Sequence, residues 1–282
     1  MRSKFLLALT LLFPFPLLAS AEETKPWFRN TGEYLAHRSV RMGLPTATSP
    51  LLLTDGKRFD VTLGKRLNLL EWSVKSPANA WFAGIDAGIL ASLQRYNRGG
   101  QLTFATNTFD GFFGMFLGKA LDGWLFLARF AHLSAHLVDN SPNFLSPVSY
   151  SQFWEEVVVG KTFPNPEVKS PWEVHVQGSV GLNHSSLPAN KQPRASLGVS
   201  AGHALWGMNS LAVLASADVL RAGVMNQKPS YAAFLGLGSL NRPDSTTRPY
   251  RAGLAFHRGS DYRNQNYNRT QSWTTFELST EF

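Results

Sequence analysis

The sequence contains no cysteine, so disulfide bonds and thiolate metal centres are excluded. Charged residues are also scarce, at 16%, whereas aromatic residues reach 12%. Beyond residue 21, no apolar run is long enough to cross a bilayer as a helix. The apolar residues must therefore be spread over many short segments, which is typical of a transmembrane β-barrel.

The amino-terminal segment has the pattern of a secretory signal peptide. Arg2 and Lys4 precede an apolar run at 5–18, and Ala19-Ser20-Ala21 is a small-x-small cleavage site. Two prolines interrupt the run, which is too short for a membrane anchor. Without a cysteine at the cleavage site the chain is not expected to be a lipoprotein. Residues 1–21 are therefore predicted to be removed during export to the periplasm.

Export limits the partners of the remaining chain. Residues 22–32 are expected to form an unstructured periplasmic lead and residues 33–282 a transmembrane β-barrel. Without Arg2 and Lys4, 25 basic and 19 acidic residues remain, a net charge of +6 (25 − 19). Outer-membrane lipids or lipopolysaccharide are expected partners, although the same charges could simply decorate loops and the lumen. Nucleic acid is not expected as a partner of an exported chain.

The carboxyl-terminal segment 272–282 reads as the closing strand of a bacterial outer-membrane barrel. Phe276, Leu278 and Phe282 share one face, because side chains alternate along a strand. The opposite face carries mostly polar residues, namely Trp273, Thr275, Glu277, Ser279 and Glu281. We expect this strand to be the contact with the barrel-assembly machinery and the localisation to be the outer membrane.

The fold class predicted from these patterns is an all-β, antiparallel, up-and-down transmembrane barrel. Eleven strand-like segments are separated by polar turns: 59–72, 80–93, 101–117, 122–138, 149–161, 172–185, 193–205, 208–222, 229–240, 247–259 and 270–282. Bacterial barrels have an even number of strands, so twelve are expected, with the first strand within 33–42, and ten is the alternative.

A periplasmic carboxyl terminus sets the side on which each connection lies. Outward loops are predicted near 43–58, 94–100, 139–148, 186–192, 223–228 and 260–269. Periplasmic turns are predicted near 73–79, 118–121, 162–171, 206–207 and 241–246. The fourth segment, 122–138, then runs outward.

The same segment holds the residues with the clearest chemical pattern. His132, Ser134 and His136 share a face with the apolar side chains Trp124, Phe126, Ala128 and Phe130. That face should contact lipid, near the outer leaflet, whereas Arg129 should face the lumen. A histidine two residues from a serine on one strand face can take the hydroxyl proton during nucleophilic attack. Glu155, on the next strand, is the candidate that orients the imidazole, and Glu156 has the opposite side-chain parity.

The His-x-Ser pair followed by Trp-Glu on the next strand resembles outer-membrane phospholipase A and the lipid A 3-O-deacylase. The resemblance implies a lipid-facing triad with His132 as base, Ser134 as nucleophile and Glu155 as orienting group. Ala135 stands where those families have asparagine, and the loop to Glu155 is longer. The runs 132–139 and 153–155 are also similar to an uncharacterised outer-membrane barrel family, domain of unknown function 1207.

Several alternatives remain open at this point. The chain has three His-x-Ser pairs, at His37, His132 and His184, so the second pair is also explained by polar residues at a wet strand end. The chain is then a non-enzymatic barrel, either structural, a surface adhesin or a small-solute pore. Candidate lumen residues for an anion-preferring pore are Lys65, Arg66, Arg129, Arg251 and His257. A narrow lumen filled by such charges is favoured over an open one.

No cofactor is expected, and metal sites are weakly indicated. His132, His136 and Asp139 form one candidate set, and Asp139 with Asn140 is a candidate Ca²⁺ loop.

Overall fold

The computed structural model describes residues 51–54, 58–73, 79–137, 150–165, 168–187, 193–206, 208–221, 228–240, 250–260 and 270–280. The predicted signal peptide (1–21), periplasmic lead (22–32) and first strand (33–42) lie outside these ranges, as does the terminal Phe282. In the described ranges there is no helix long and apolar enough to cross a membrane.

The described chain is built from antiparallel β-strands. In chain order they are β1 Leu51–Thr54, β2 Arg58–Ser73, β3 Asn79–Arg98, β4 Gln101–Leu121, β5 Trp124–Leu137, β6 Tyr150–Phe163, β7 Trp172–Leu187, β8 Ala195–Leu205, β9 Met208–Arg221, β10 Ser230–Gly238, β11 Tyr250–Ser260 and β12 Thr270–Thr280. Each strand pairs with the next, so the prediction of an all-β, up-and-down architecture is confirmed.

The eleven long strands β2–β12 form a sheet whose two edges are joined only through β1, within the described residues. In β1, Leu53 pairs with Phe276 of β12 on one side and with Phe59 of β2 on the other. The hydrogen-bonded ring of described strands is completed in this way. A tilted strand needs about 9–11 residues to span a bilayer, so β1 with 4 residues is not itself a spanning strand.

Three predicted boundaries are wrong. The loop expected at 94–100 shrinks to Gly99 and Gly100, with φ of 60° and 86°, because β3 and β4 stay paired up to Arg98 and Gln101. The turn expected at 118–121 lies instead at Asp122 and Gly123, also with positive φ, so β4 continues to Leu121. Two positive φ angles in a two-residue turn suit the twist of paired strands. The loop expected at 43–58 contains β1.

Side chains alternate along the strands, and in β7 and β12 the exposed face is apolar while the buried face is polar. In β7, Val180 is 58% exposed while His175 is only 2% exposed. A hydrogen bond of 3.0 Å joins His175 Nδ1 to Thr162 Oγ1. In β12, Phe276 and Leu278 are exposed and Glu277 is buried. A water-soluble sheet buries its apolar face, so this inverted pattern indicates a chain surrounded by lipid.

The interior differs between the two ends of the barrel. Near the end where β4 stops and β5 starts, the inward side chains are apolar and pack together: Phe82, Phe116, Ala120, Leu125, Leu127 and Val158. Further along β5 comes the buried, charged Arg129, followed on the same face by the buried apolar residues Ala131 and Leu133. Arg251 and His257, two of the predicted lumen residues, also face inward, and Arg251 Nε lies 2.8 Å from Glu277 Oε1. The side chains of Lys65 and Arg66 lie outside the described set.

Candidate functional site

Ser134, His132 and Glu155 all lie on the outward face of the barrel wall formed by β4, β5 and β6. Strand register places them on three successive cross-strand rungs, which we call the outward rungs: Met115–Phe130–Glu155, Phe113–His132–Phe153 and Gly111–Ser134–Ser151. His132 therefore occupies the middle rung. Glu155 lies one rung below it on β6, and Ser134 one rung above it on β5.

The His132 ring packs on β6. It stacks on the Phe153 ring with 4.0 Å between centroids and an angle of 26° between planes. Its Nδ1 atom is buried and has no hydrogen-bond partner among the described residues. A buried imidazole nitrogen without a partner is costly, typically about 1–3 kcal/mol. The stacking keeps the ring close to the strand that carries Glu155.

Ser134 lies in a shallow notch made by small residues. Its neighbours on the same rung are Gly111 on β4 and Ser151 on β6. A methyl group built on Gly111 would lie 3.7 Å from the Ser134 Oγ atom, so the glycine leaves space beside the hydroxyl. Phe113 and Phe153, each more than 40% exposed, border the notch on the rung below. The hydroxyl is thus next to an apolar, aromatic surface.

Glu155 and Glu156 face opposite sides of the wall, as their parity predicts. Glu155 is half-buried on the outward face beside Phe130, whereas Glu156 is buried and forms an ion pair with Arg129. A carboxylate on an apolar outward face is costly unless it has a partner, and such residues usually mark a functional site.

An inward row of charges behind these rungs was not predicted as a unit. Arg129 bridges Asp86 of β3, 3.5 Å away, and Glu156 of β6, which also lies 3.8 Å from Arg194 Nε. Arg194 also covers the Trp154 ring at 4.2 Å. This inward charge row alternates in sign across the wall and is almost fully buried.

Two glycines let the charges of the inward row meet across the strands between them. Gly114 pairs with Asp86, and Gly181 pairs with Glu156. A Cβ atom on Gly181 would lie only 3.0 Å from the Arg194 Cβ. No sequence pattern within one strand reveals the row, because its members come from different strands and meet only through register.

Of the other candidate residues, some lie within the described strands and some do not. His184 and Ser186 lie in β7, His136 lies in β5, and their side chains are outside the described set. Asp139, Asn140 and His37 lie outside the described ranges altogether. Among the residues that the structure describes, no group of three or more His, Asp or Glu side chains is arranged to hold a metal ion.

Three solved structures to which this chain is similar are bacterial outer-membrane proteins. The β-domain of the Bordetella autotransporter BrkA has a TM-score of 0.45 and 15% identity, with 83% of this chain and 96% of that chain covered. Outer-membrane phospholipase A from Escherichia coli has a TM-score of 0.47, 14% identity and coverages of 89% and 98%. The Salmonella typhi outer-membrane phospholipase dimer with bound calcium has a TM-score of 0.46, 14% identity and the same coverages.

No protein-family model and no curated protein matches the chain, so its similarity to the uncharacterised barrel family stays a prediction. The three structures named above are outer-membrane β-barrels, and this likeness says nothing about the chemistry of the outward rungs.

Proposed function

We propose that this chain is an outer-membrane lipid acyl hydrolase with a lipid-facing triad of Ser134, His132 and Glu155. The observation that carries the proposal is the position of the three residues on consecutive outward rungs, with His132 on the rung between those of Ser134 and Glu155. The buried, unpartnered Nδ1 of His132 supports it, because a hydrogen bond to Glu155 would satisfy that atom when substrate orders the site.

The chemistry follows from these positions. The Ser134 oxygen forms a bond to the ester carbonyl carbon while His132 takes the hydroxyl proton. The bond to the alcohol oxygen then breaks, and His132 returns the proton to that oxygen. Water, deprotonated by the same imidazole, attacks the acyl-enzyme and releases the fatty acid together with free Ser134. Glu155 keeps the ring oriented and stabilises the imidazolium.

The surroundings suit a lipid ester rather than a soluble one. The notch at Gly111 leaves space beside the Ser134 side chain. The exposed rings of Phe113 and Phe153 form an apolar surface on which an acyl chain can pack. Outer-membrane lipids or lipopolysaccharide are the proposed substrates and partners.

The same proposal includes the finer features of the fold. We infer a twelve-stranded barrel with periplasmic termini and localisation in the outer membrane. The exposed apolar face of the strands supports this placement. Assembly through the carboxyl-terminal strand is proposed on the pattern of Phe276 and Leu278.

The alternative function is a non-enzymatic barrel. A small-solute pore is disfavoured, because the inward charge row and the apolar cluster around Phe82 and Phe116 leave their side chains almost inaccessible to water. A structural barrel is the alternative that this filled interior favours.

The test is release of fatty acid from phospholipid and from lipid A by refolded protein in detergent, with and without Ca²⁺. We expect wild-type activity to fall by about 10³-fold or more in Ser134→Ala and His132→Ala, because triad members act as a unit. Glu155→Ala should be less damaging, since it only orients the ring. Ser151→Ala, which removes the neighbouring hydroxyl of the same rung, is the matched control and should keep full activity. Equal release of fatty acid by wild type and Ser134→Ala would rule out Ser134 as the nucleophile and leave the structural barrel as the alternative function.

A further inference from the structure

Two lysines lie on the outward face at the barrel end opposite the candidate site. Lys119 is near the end of β4, and its Nζ lies 5.0 Å from the centroid of the Trp81 ring. Lys161 is near the end of β6, and its Nζ lies 5.1 Å from the Trp124 ring and 5.5 Å from the Phe163 ring. Ser134 lies towards the other end of β5. Both cations are therefore held on aromatic rings at one rim.

Aromatic residues are concentrated at this rim. Trp72 stacks on Trp81 with 6.5 Å between centroids, and Trp124 stacks on Phe126 with 6.0 Å. Trp206, in the turn after β8, is 81% exposed. Tryptophan and tyrosine favour the boundary between acyl chains and headgroups, so the rim lies at headgroup depth if the barrel spans a bilayer.

Strand register sets the spacing of the two lysines. Lys119 is opposite Phe126 and Lys161 is opposite Trp124, so the Trp124–Phe126 stack lies between them. Strands are about 4.8 Å apart, which puts the two lysine strands about 10 Å apart. Lys119 Nζ lies over the Trp81 ring of β3 and Lys161 Nζ over the Trp124 ring of β5, so the two ammonium groups are set along one aromatic surface where each can contact a lipid phosphate.

The two lysine ammonium groups can still donate hydrogen bonds to an anionic ligand. An ammonium group has three N–H donors, and Lys161 uses one for the carbonyl of Asp122, at 2.7 Å. Contact with aromatic rings replaces part of the hydration of each ammonium, which lowers the cost of binding an anion there.

We propose that Lys119 and Lys161, with Trp81, Trp124 and Phe163, bind the headgroup of an anionic glycerophospholipid at this rim. The lysines contact the phosphate, and the aromatic rings contact the glycerol and upper acyl chains. The site rests on the membrane placement in the proposed function, and it is independent of the hydrolase.

The experiment measures lipid selectivity by tryptophan quenching. Refolded protein is inserted into phosphatidylcholine vesicles that contain phosphatidylglycerol with brominated acyl chains at low salt. Wild type is expected to prefer the anionic lipid by about fivefold for each lysine. The double variant Lys119→Gln/Lys161→Gln should lose most of this preference. Lys169→Gln, an exposed lysine in the connection after β6, is the matched control and should keep it.

Each possible result of the quenching experiment either supports or overturns the proposed lipid site. Heat-dependent gel migration confirms that each variant is folded before it is compared. Wild type without a preference, or a folded double variant that retains it, would overturn the site. Displacement of the lipid by inorganic phosphate at equal ionic strength would assign the site to free phosphate and also overturn it. A chain that never enters the vesicles would overturn the membrane placement and this site together.

Discussion

Arg129 and Glu156 form a buried ion pair on the inner side of the same wall that carries His132 and Glu155 on its outer side. Register ties the two faces together, because Arg129 pairs with Glu156 and Phe130 pairs with Glu155 on adjacent positions. The inward charge row therefore holds β5 and β6 in the alignment that the outward rungs require.

Glu156→Gln should destabilise the barrel by about 3–5 kcal/mol, because it leaves Arg129 and Arg194 buried with too little negative charge. Unfolding by urea in vesicles, followed by tryptophan fluorescence, measures the change. The control is Glu155→Gln on the neighbouring residue, which faces outward away from both arginines and should change stability by less than about 1 kcal/mol. Equal losses in the two variants would contradict the assignment of the inward charge row.

Gly118→Ala should cost about 1–3 kcal/mol, because a methyl group there would overlap the Phe82 ring, which is packed in the apolar cluster and has no room to move. Gly178→Ala is the control, since its methyl group would meet only ordinary contacts at 3.5 Å or more. The same urea unfolding compares the two variants. A neutral Gly118→Ala would show that the interior at this end is not packed.

The alternation of side chains predicts most of the strands, because the outward and inward side chains of a barrel wall have different surroundings. It fails at the carboxyl end of β3. Residues 94–98 are polar without alternation and were predicted as loop, yet backbone pairing with β4 continues to Arg98. The positive φ angles of Gly99 and Gly100 show that the Gly-Gly pair was the better signal for the turn.

The sequence predicts on which face of the wall the candidate residues lie, but not which residues they contact. Parity places His132, Ser134 and Glu155 outward, as the structure has them. Phe153 as the stacking partner of His132 and Gly111 beside Ser134 depend on the register between strands, which one strand's sequence does not contain. The sequence pattern also does not predict β1, because its three consecutive leucines do not alternate with polar residues.

Gly111→Ala should reduce fatty-acid release by about tenfold without loss of stability, because the added methyl group would fill the notch 3.7 Å from the Ser134 Oγ. Gly178→Ala adds the same group on the outward face of β7, away from the site, and should leave release unchanged. The assay is fatty-acid release under identical detergent conditions. Full activity in Gly111→Ala would mean that substrate does not approach Ser134 from this side.

The protein in a planar bilayer should show no steady small-ion conductance, because the inward charge row and the apolar cluster occupy the described interior. Single-channel recording tests this. Stable open channels in wild type, abolished by substitution of Arg129 or Arg251, would favour the anion-pore alternative instead.

Labelling by a long-chain alkyl sulfonyl fluoride, which modifies activated serines, tests Ser134 as the nucleophile, and the mass of the refolded protein after incubation shows the result. We expect one adduct per chain, located on the peptide that contains Ser134 and lost in both Ser134→Ala and His132→Ala, with Ser151→Ala labelled like wild type. An unmodified wild-type chain, or labelling that persists in His132→Ala, would contradict a lipid-facing nucleophile activated by His132.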